Sequence, residues 1–176
     1  MYYTYVESPV GPLLLAGDRR RLTRISFTSG RKVWNPPDDW QRTDEPFAAA
    51  AAQLAEYFAG VRRTFDLPLG LNVPPFQARV LEQLRAIPYG ETRSYKDIAI
   101  ALGDPRAVRA VGSANGSNPL PIVIPCHRVI GSDGSLTGFG GGLDAKRYLL
   151  DLERCNSGLF GKPLVGAVSD RGLSGL

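Results

Sequence analysis

Cys126 and His127 stand side by side in Pro121 to Val129, which reads Pro-Ile-Val-Ile-Pro-Cys-His-Arg-Val, and His127 is the only histidine in the chain. A thiol becomes a nucleophile when a neighbour takes its proton, and imidazole is the side chain best matched to that work near neutral pH. Without such help a buried cysteine is an inert small hydrophobe, so both readings stand on this stretch alone. β-branched residues between prolines predict a short buried strand, because such side chains fit a pleated surface and proline is tolerated at strand ends. Pro125 then stops regular pairing and leaves Cys126 at the strand end. Adjacent residues on a regular strand face opposite ways, so Cys126 and His127 meet only across irregular backbone or through a bridging water. Glu153 sits near the end of a predicted helix, where a carboxylate opposes the helix dipole, and is a candidate to orient the imidazole in a relay of the triad type.

The elements that must position these groups are legible in outline. Tyr2 to Glu7, Leu13 to Ala16 and Leu22 to Thr28 alternate as strands joined by turn residues, which predicts an antiparallel meander. Arg31 to Thr43 has no clear period and reads as a long loop. Asp44 and Glu45 before Pro46 mark a helix start, the helix runs from Phe47 to Ala59, and Gly60 stops it. Thr64 to Leu71 resumes strand-like alternation, and Gly70 to Pro75 reads as a linker.

Phe76, Val80, Leu81, Leu84 and Ile87 recur at helical spacing. Ser94 and Asp97 form a capping-box variant at the start of the next helix. Gly103, Asp104 and Pro105 then predict a turn of about two residues into a further helix, a helix-turn-helix pattern. Ala107, Val108, Ala110, Val111 and Ala114 form its small apolar face, while Arg106, Arg109 and Ser113 share another, so a partner backbone could approach closely. Asn115 to Pro119 reads as a turn and Gly131 to Ser135 as a hairpin-like turn. Thr137 to Gly142 is a glycine loop around Phe139 without the spacing of a dinucleotide fingerprint. Asp144 to Arg154 is helical, and 157–176 reads as a loosely held tail.

Composition narrows the classes. At 176 residues and 43% hydrophobic, the chain can bury a core. No run reaches the roughly 18 apolar residues of a membrane span, and no signal peptide is visible, so a cytoplasmic protein is expected. Cys126 and Cys155 are expected to be free thiols, and a single histidine argues against a dedicated zinc site. A net charge of +4 and a pI near 9.3 favour a polyanionic partner only weakly.

Ile-Pro-Cys-His-Arg-Val, preceded by Asn118-Pro119 and by Arg109-Ala110-Val111-Gly112, resembles the signature of O6-alkylguanine-DNA alkyltransferases, and the likeness runs from about Pro75 to Glu153. It implies an α/β N-terminal domain, an antiparallel sheet plus helix, followed by a mainly helical, winged-helix-like domain with a helix-turn-helix. The expected division is 1–70, a linker at 71–74, 75–156 and the tail. The implied activity is single-turnover transfer of an alkyl group, a methyl above all, from guanine O6 to Cys126 after the nucleotide is flipped through the minor groove, with O4 of thymine as a second target. By position, His127 resembles the water-linked base, Glu153 its orienting carboxylate and Asn118 the brace of the active-site turn. Arg109 resembles the finger that fills the gap left by the flipped base, on a helix whose Ala110, Gly112 and Ser113 approach the DNA, and Tyr95 the residue beside the rotated phosphate. Val129, Phe139 and Gly140 resemble the pocket wall. The family often has tyrosine where this chain has Phe139, and the zinc site of some relatives cannot be assembled here.

The implied partner is double-stranded DNA containing O6-alkylguanine, met by a monomer without cofactor, metal or membrane, in the cytoplasm or, in a bacterium, at the nucleoid. Two other readings stay open: a module that recognises alkylguanine without transfer, and a cysteine hydrolase using the same relay.

Overall fold

Alternating apolar residues at the start of the chain build the sheet. In the computed structural model, which describes residues 1–158, strands β1 (Tyr2–Val6), β2 (Leu13–Gly17) and β3 (Leu22–Phe27) form the expected antiparallel meander. Its register pairs Tyr2 with Gly17 and Leu13 with Phe27. The strand order is β3-β2-β1-β4, so β2 is inside the sheet and all five of its residues are buried. Gly17 sits at a bulge where a Cβ would meet the Arg21 carbonyl oxygen at 2.1 Å, so only glycine fits.

The long-loop reading of Arg31 to Thr43 needs one correction: Gln41–Arg42 forms β4 and pairs parallel with β1. Two residues carry too little pattern to show as a strand. Thr64 to Leu71 is not a strand. Only Leu69 bridges to Leu22, with the Leu22 N–H bonded to the Pro68 carbonyl and the Gly70 N–H to the Leu22 carbonyl. The segment caps the sheet edge without entering it.

A 3-10 turn at Glu45–Phe47 leads into α1 (Ala48–Phe58), whose Ala50, Leu54 and Tyr57 face inward. Helices α2 (Pro75–Arg85), α3 (Tyr95–Ala101), α4 (Val108–Gly116) and α5 (Leu143–Asn156) complete the fold. The capping box at α3 is present in full: Asp97 N–H donates to Ser94 Oγ and Ser94 N–H to the Asp97 carboxylate. The turn to α4 is longer than two residues. Asp104 caps the Arg106 N–H, as expected of a helix-start residue, but the chain makes a separate turn there and α4 starts at Val108.

The apolar face of α4 is also narrower than its composition implied. Val111 and Ala114 are buried, whereas Val108 and Ala110 are exposed. Asn115 and Gly116 continue α4 instead of turning. Val80, Leu81, Leu84, Ile98, Val111 and Leu149 join the strand leucines in one hydrophobic cluster. No helix among the described residues is long and apolar enough to cross a membrane. Of the expected tail, 159–176 lies outside the described residues.

Candidate active site

The buried strand expected at Pro121 to Val129 does not form. Ile122 has φ 74, a left-handed conformation costly for a β-branched residue, and it breaks the extended run. The chain instead makes a compact turn: the Ile124 N–H bonds to the Leu120 carbonyl at 2.8 Å and the Cys126 N–H to the Ile124 carbonyl at 2.8 Å. Pro125, at φ -81 and ψ 65, is the centre of that last bond, an inverse γ-turn. Asn118 braces the turn from both sides, donating to the Ile124 carbonyl at 2.8 Å and accepting from the Leu120 N–H at 3.0 Å.

Cys126–Arg128 then closes as a 3-10 turn. The strand-face objection to pairing Cys126 with His127 therefore lapses. Only Val129–Ile130 is extended, as β6, and it pairs parallel with β5 (Arg93–Ser94). Gly131 to Ser135 closes through a Gly131 N–H to Ser135 carbonyl bond at 2.9 Å, but no return strand follows, so it is a turn without a hairpin.

Glu153 is fully buried, and its position near the end of α5 now has a reason. Oε1 accepts from His127 Nε2 at 2.7 Å, from Tyr57 Oη at 2.7 Å and from Arg128 Nη2 at 2.9 Å. Oε2 accepts from Arg128 Nε at 2.8 Å and from the Gly90 N–H at 3.3 Å. Burial alone would raise the Glu153 pKa, but the hydrogen bonds from His127 and Arg128 and the Arg128 charge outweigh it and hold the carboxyl near 2. Burial lowers the pKa of His127, against the pull of Glu153, so the ring is neutral at pH 7. A neutral imidazole facing a carboxylate carries its proton on Nε2. Nδ1 is then a bare acceptor, buried and without a hydrogen bond to the protein.

Cys126 is 5% exposed, and burial pushes its thiol up to about 11, opposed by Asn118 and the Lys146 charge. Lys146 is itself fully buried, donating to the Val129 carbonyl at 2.6 Å and the Thr137 carbonyl at 2.9 Å, and burial brings its pKa down to about 8. The resting state is thus a thiol with a neutral base nearby. It becomes a nucleophile only as a proton leaves, which suits a reaction that starts when an electrophile occupies the site.

The thiol opens into a cavity of about 320 Å³ lined by Asn118, Pro121 and Phe139 and by Arg24, Phe27 and Trp34. A second cavity of about 600 Å³ shares Phe139 and Gly140 and reaches Tyr95 and Gly112. The structure therefore brings Cys126, His127, Glu153 and Asn118 together, with Phe139 and Gly140 as walls. Arg109, Ala110 and Ser113 lie exposed along α4, and Gly112 faces the second cavity. Val129 departs from its expected place: it is fully buried in the core and lines neither cavity, because its backbone is taken up by β6 and by Lys146.

Tyr57, Lys146 and Asn115 were not singled out from sequence. Tyr57 comes from α1, far away in the chain. Asn115 donates to the Cys126 carbonyl at 3.5 Å. Lys146 had a signal: Lys146, Leu149 and Glu153 follow three- and four-residue steps on one helix face, so a lysine shares the stripe with Leu149 and Glu153.

The family model described as 6-O-methylguanine DNA methyltransferase, DNA binding domain, matches residues 75–155, and that described as 6-O-methylguanine DNA methyltransferase, ribonuclease-like domain, matches 1–71. A Methanosarcina barkeri methylated-DNA–protein-cysteine methyltransferase is 53% identical over 156 residues, covering 89% of this chain and 99% of its own. The constitutive Bacillus subtilis protein of the same name is 48% identical over 162 residues, covering 87% and 95%. The crystal structure of Mycobacterium tuberculosis OGT in complex with DNA superposes with a TM-score of 0.83 at 47% identity, covering 89% of this chain and 94% of that one. With both models together spanning nearly all the described residues, the chain belongs to the 6-O-methylguanine DNA methyltransferase family.

Proposed function

We propose that this protein repairs O6-alkylguanine in duplex DNA by one direct transfer to Cys126. The sulfur attacks the alkyl carbon, the bond from that carbon to O6 breaks, and its electron pair passes to the guanine. His127 Nδ1 takes the thiol proton by way of a water, one proton passes from the protonated site to the guanine ring that received the electron pair, and the guanine leaves neutral with His127 restored. Nothing in the cluster offers a way to break the new thioether, so each molecule acts once. The observation that carries this reading is the five-bonded Glu153 carboxylate, which fixes His127, the chain neighbour of the buried Cys126, with Nδ1 free to accept.

The remaining roles follow from position. Arg109, exposed on α4, fills the space left by a nucleotide flipped through the minor groove, an unstacking that costs on the order of a few kcal/mol. Ala110 and Ser113 lie against the DNA, with Tyr95 beside the turned phosphate. Phe139 walls the base pocket, and the Gly140 N–H faces O6 as charge develops there. Thymine alkylated at O4 is a second substrate by the same chemistry. Residues 1–70 and 75–156 act as two domains of one monomer, joined at 71–74, and the free thiols suit the cytoplasm or nucleoid.

Mass spectrometry after incubation with duplex DNA containing O6-methylguanine tests the reading. A single methyl adduct on the peptide holding Cys126 is the expected result. DNA binding with no adduct would replace it with a recognition module, and turnover of an ester or amide with neither would replace it with a hydrolase.

A further inference from the structure

The lining of the thiol cavity carries a charge that the transfer of a methyl group does not use. Arg24, on β3, is only partly exposed, and its guanidinium carbon lies 4.7 Å from the centre of the Trp34 ring. Among the described residues, no hydrogen bond or ion pair engages that guanidinium, which leaves five donors free. Burial lowers the Arg24 pKa, though the group remains charged. Lys32 lines the same cavity, its ammonium donating to the Gly116 carbonyl at 2.9 Å, and it lines the second cavity too. No aspartate or glutamate lines either cavity. A partly desolvated, unpaired guanidinium held over an aromatic ring is a receptor for a planar anion, and a carboxylate matches its fork.

The position of this group relative to Cys126 decides what that anion is. The second cavity opens toward Tyr95 and Gly112, and the two cavities meet at Phe139. Cys126, Pro121, Arg24 and Trp34 line the same cavity, so a group attached beyond the carbon that meets the thiol has the space beside Arg24 open to it. We infer that Arg24, stacked on Trp34 and assisted by Lys32, is a subsite for the far end of the O6 substituent, and that it selects adducts ending in a carboxylate. This rests on Cys126 being the acceptor. The transfer is unchanged in its balance: the sulfur–carbon bond forms as the carbon–O6 bond breaks, and the carboxylate travels with the alkyl group onto Cys126.

The test compares two free bases of the same shape, O6-(4-carboxybenzyl)guanine and O6-(4-carbamoylbenzyl)guanine, with the adduct on Cys126 followed by mass spectrometry. Free bases carry no phosphate, so the readout is independent of DNA binding. The full-length protein is expected to react about tenfold faster with the carboxylate, the size of effect expected of a hydrogen bond to a charged group. Arg24→Gln, which keeps the apolar stem, is expected to bring the two rates together, and Lys32→Gln to reduce the preference by about half that ratio on the same argument. Equal rates in the unmodified protein would overturn the subsite, as would a preference that survives Arg24→Gln with its ratio intact. O6-methylguanine in duplex DNA, run alongside, separates the two ideas: methyl transfer without carboxylate preference sinks the subsite alone, and no transfer of any kind sinks the acceptor role and the subsite with it.

Discussion

Tyr57 Oη donates to Glu153 Oε1 at 2.7 Å, and both side chains are fully buried. The phenol also lies 3.5 Å from His127 Nε2, so a residue of α1 touches the pair that governs the thiol. Burial, then the Glu153 charge, raises the Tyr57 pKa well above its ordinary value, so it is always a donor here. The N-terminal half thereby supplies one of the groups that hold the carboxylate still.

Removing only the hydroxyl should therefore loosen the relay without emptying the core. Tyr57→Phe is expected to slow methyl transfer severalfold and to lower stability by about 1 kcal/mol, the net worth of one hydrogen bond. Single-turnover rates and denaturant unfolding measured on the same preparation check both. An unchanged rate with lowered stability would make Tyr57 purely structural.

Glu153 also sets the acid limit of the fold. Its folded pKa, near 2, lies below the 4.5 of the unfolded chain, so it stabilises the protein above pH 4.5, and that contribution is lost as pH falls toward 2. The difference of 2.5 units corresponds to roughly 3 kcal/mol. His127 acts in the same sense, since its lowered pKa means the folded state resists the proton that the unfolded chain takes up below 6.5. Unfolding followed from pH 7 to pH 3 should show stability falling throughout. Glu153→Gln should flatten the lower part of that curve, at a cost of about 3–5 kcal/mol at pH 7 because Arg128 loses its counter-charge.

The resting thiol makes the reaction base-dependent. With Cys126 pushed up to about 11, the thiolate fraction in the free protein rises about tenfold per pH unit from 7 to 9. Alkylation of Cys126 by iodoacetamide should follow that slope, and Cys155 labelling, read from its own peptide, serves as the internal comparison. A plateau below pH 8 would mean that the thiol is ionised at rest.

Arg109 divides DNA work from chemistry. Arg109→Ala is expected to slow repair of O6-methylguanine in duplex DNA by about tenfold, a fraction of the unstacking cost, and to leave reaction with a free O6-benzylguanine base within twofold. Equal losses on both substrates would count against the finger role.

Much of this was legible because the signals are local. Helical spacing marked α2 and α5, the Ser94–Asp97 cap is a property of four residues, and the motif around Cys126 is contiguous. The strand at Pro121 to Val129 misled because β-branched residues report a preference for extended backbone, while Ile122 takes φ 74 in the folded chain. One hydrogen bond donated by Asn118 and one that it accepts brace that turn, and nothing in the spacing of isoleucines records them. Tyr57 was hidden for a different reason: 96 positions separate it from Glu153, and on α1 it reads as one more core aromatic. The apolar face of α4 was overdrawn because alanine is at home on either side of a helix.

Lys146 ties down both ends of the glycine segment. Its ammonium holds the Thr137 carbonyl before the segment, and its backbone N–H holds the Gly142 carbonyl after it, at 3.1 Å. One residue thus supplies both anchors, one through its side chain and one through its backbone, and the Arg31 N–H holds the Gly140 carbonyl between them at 3.2 Å, so the loop behaves as an arch on two footings. Gly138 and Gly142, both at positive φ, are the joints at its feet, and Phe139 is the only side chain larger than hydrogen that it carries. Within the loop, only the Phe139 ring, 5.2 Å centre to centre from Phe27, can tilt toward or away from an adduct while the footings stay in place.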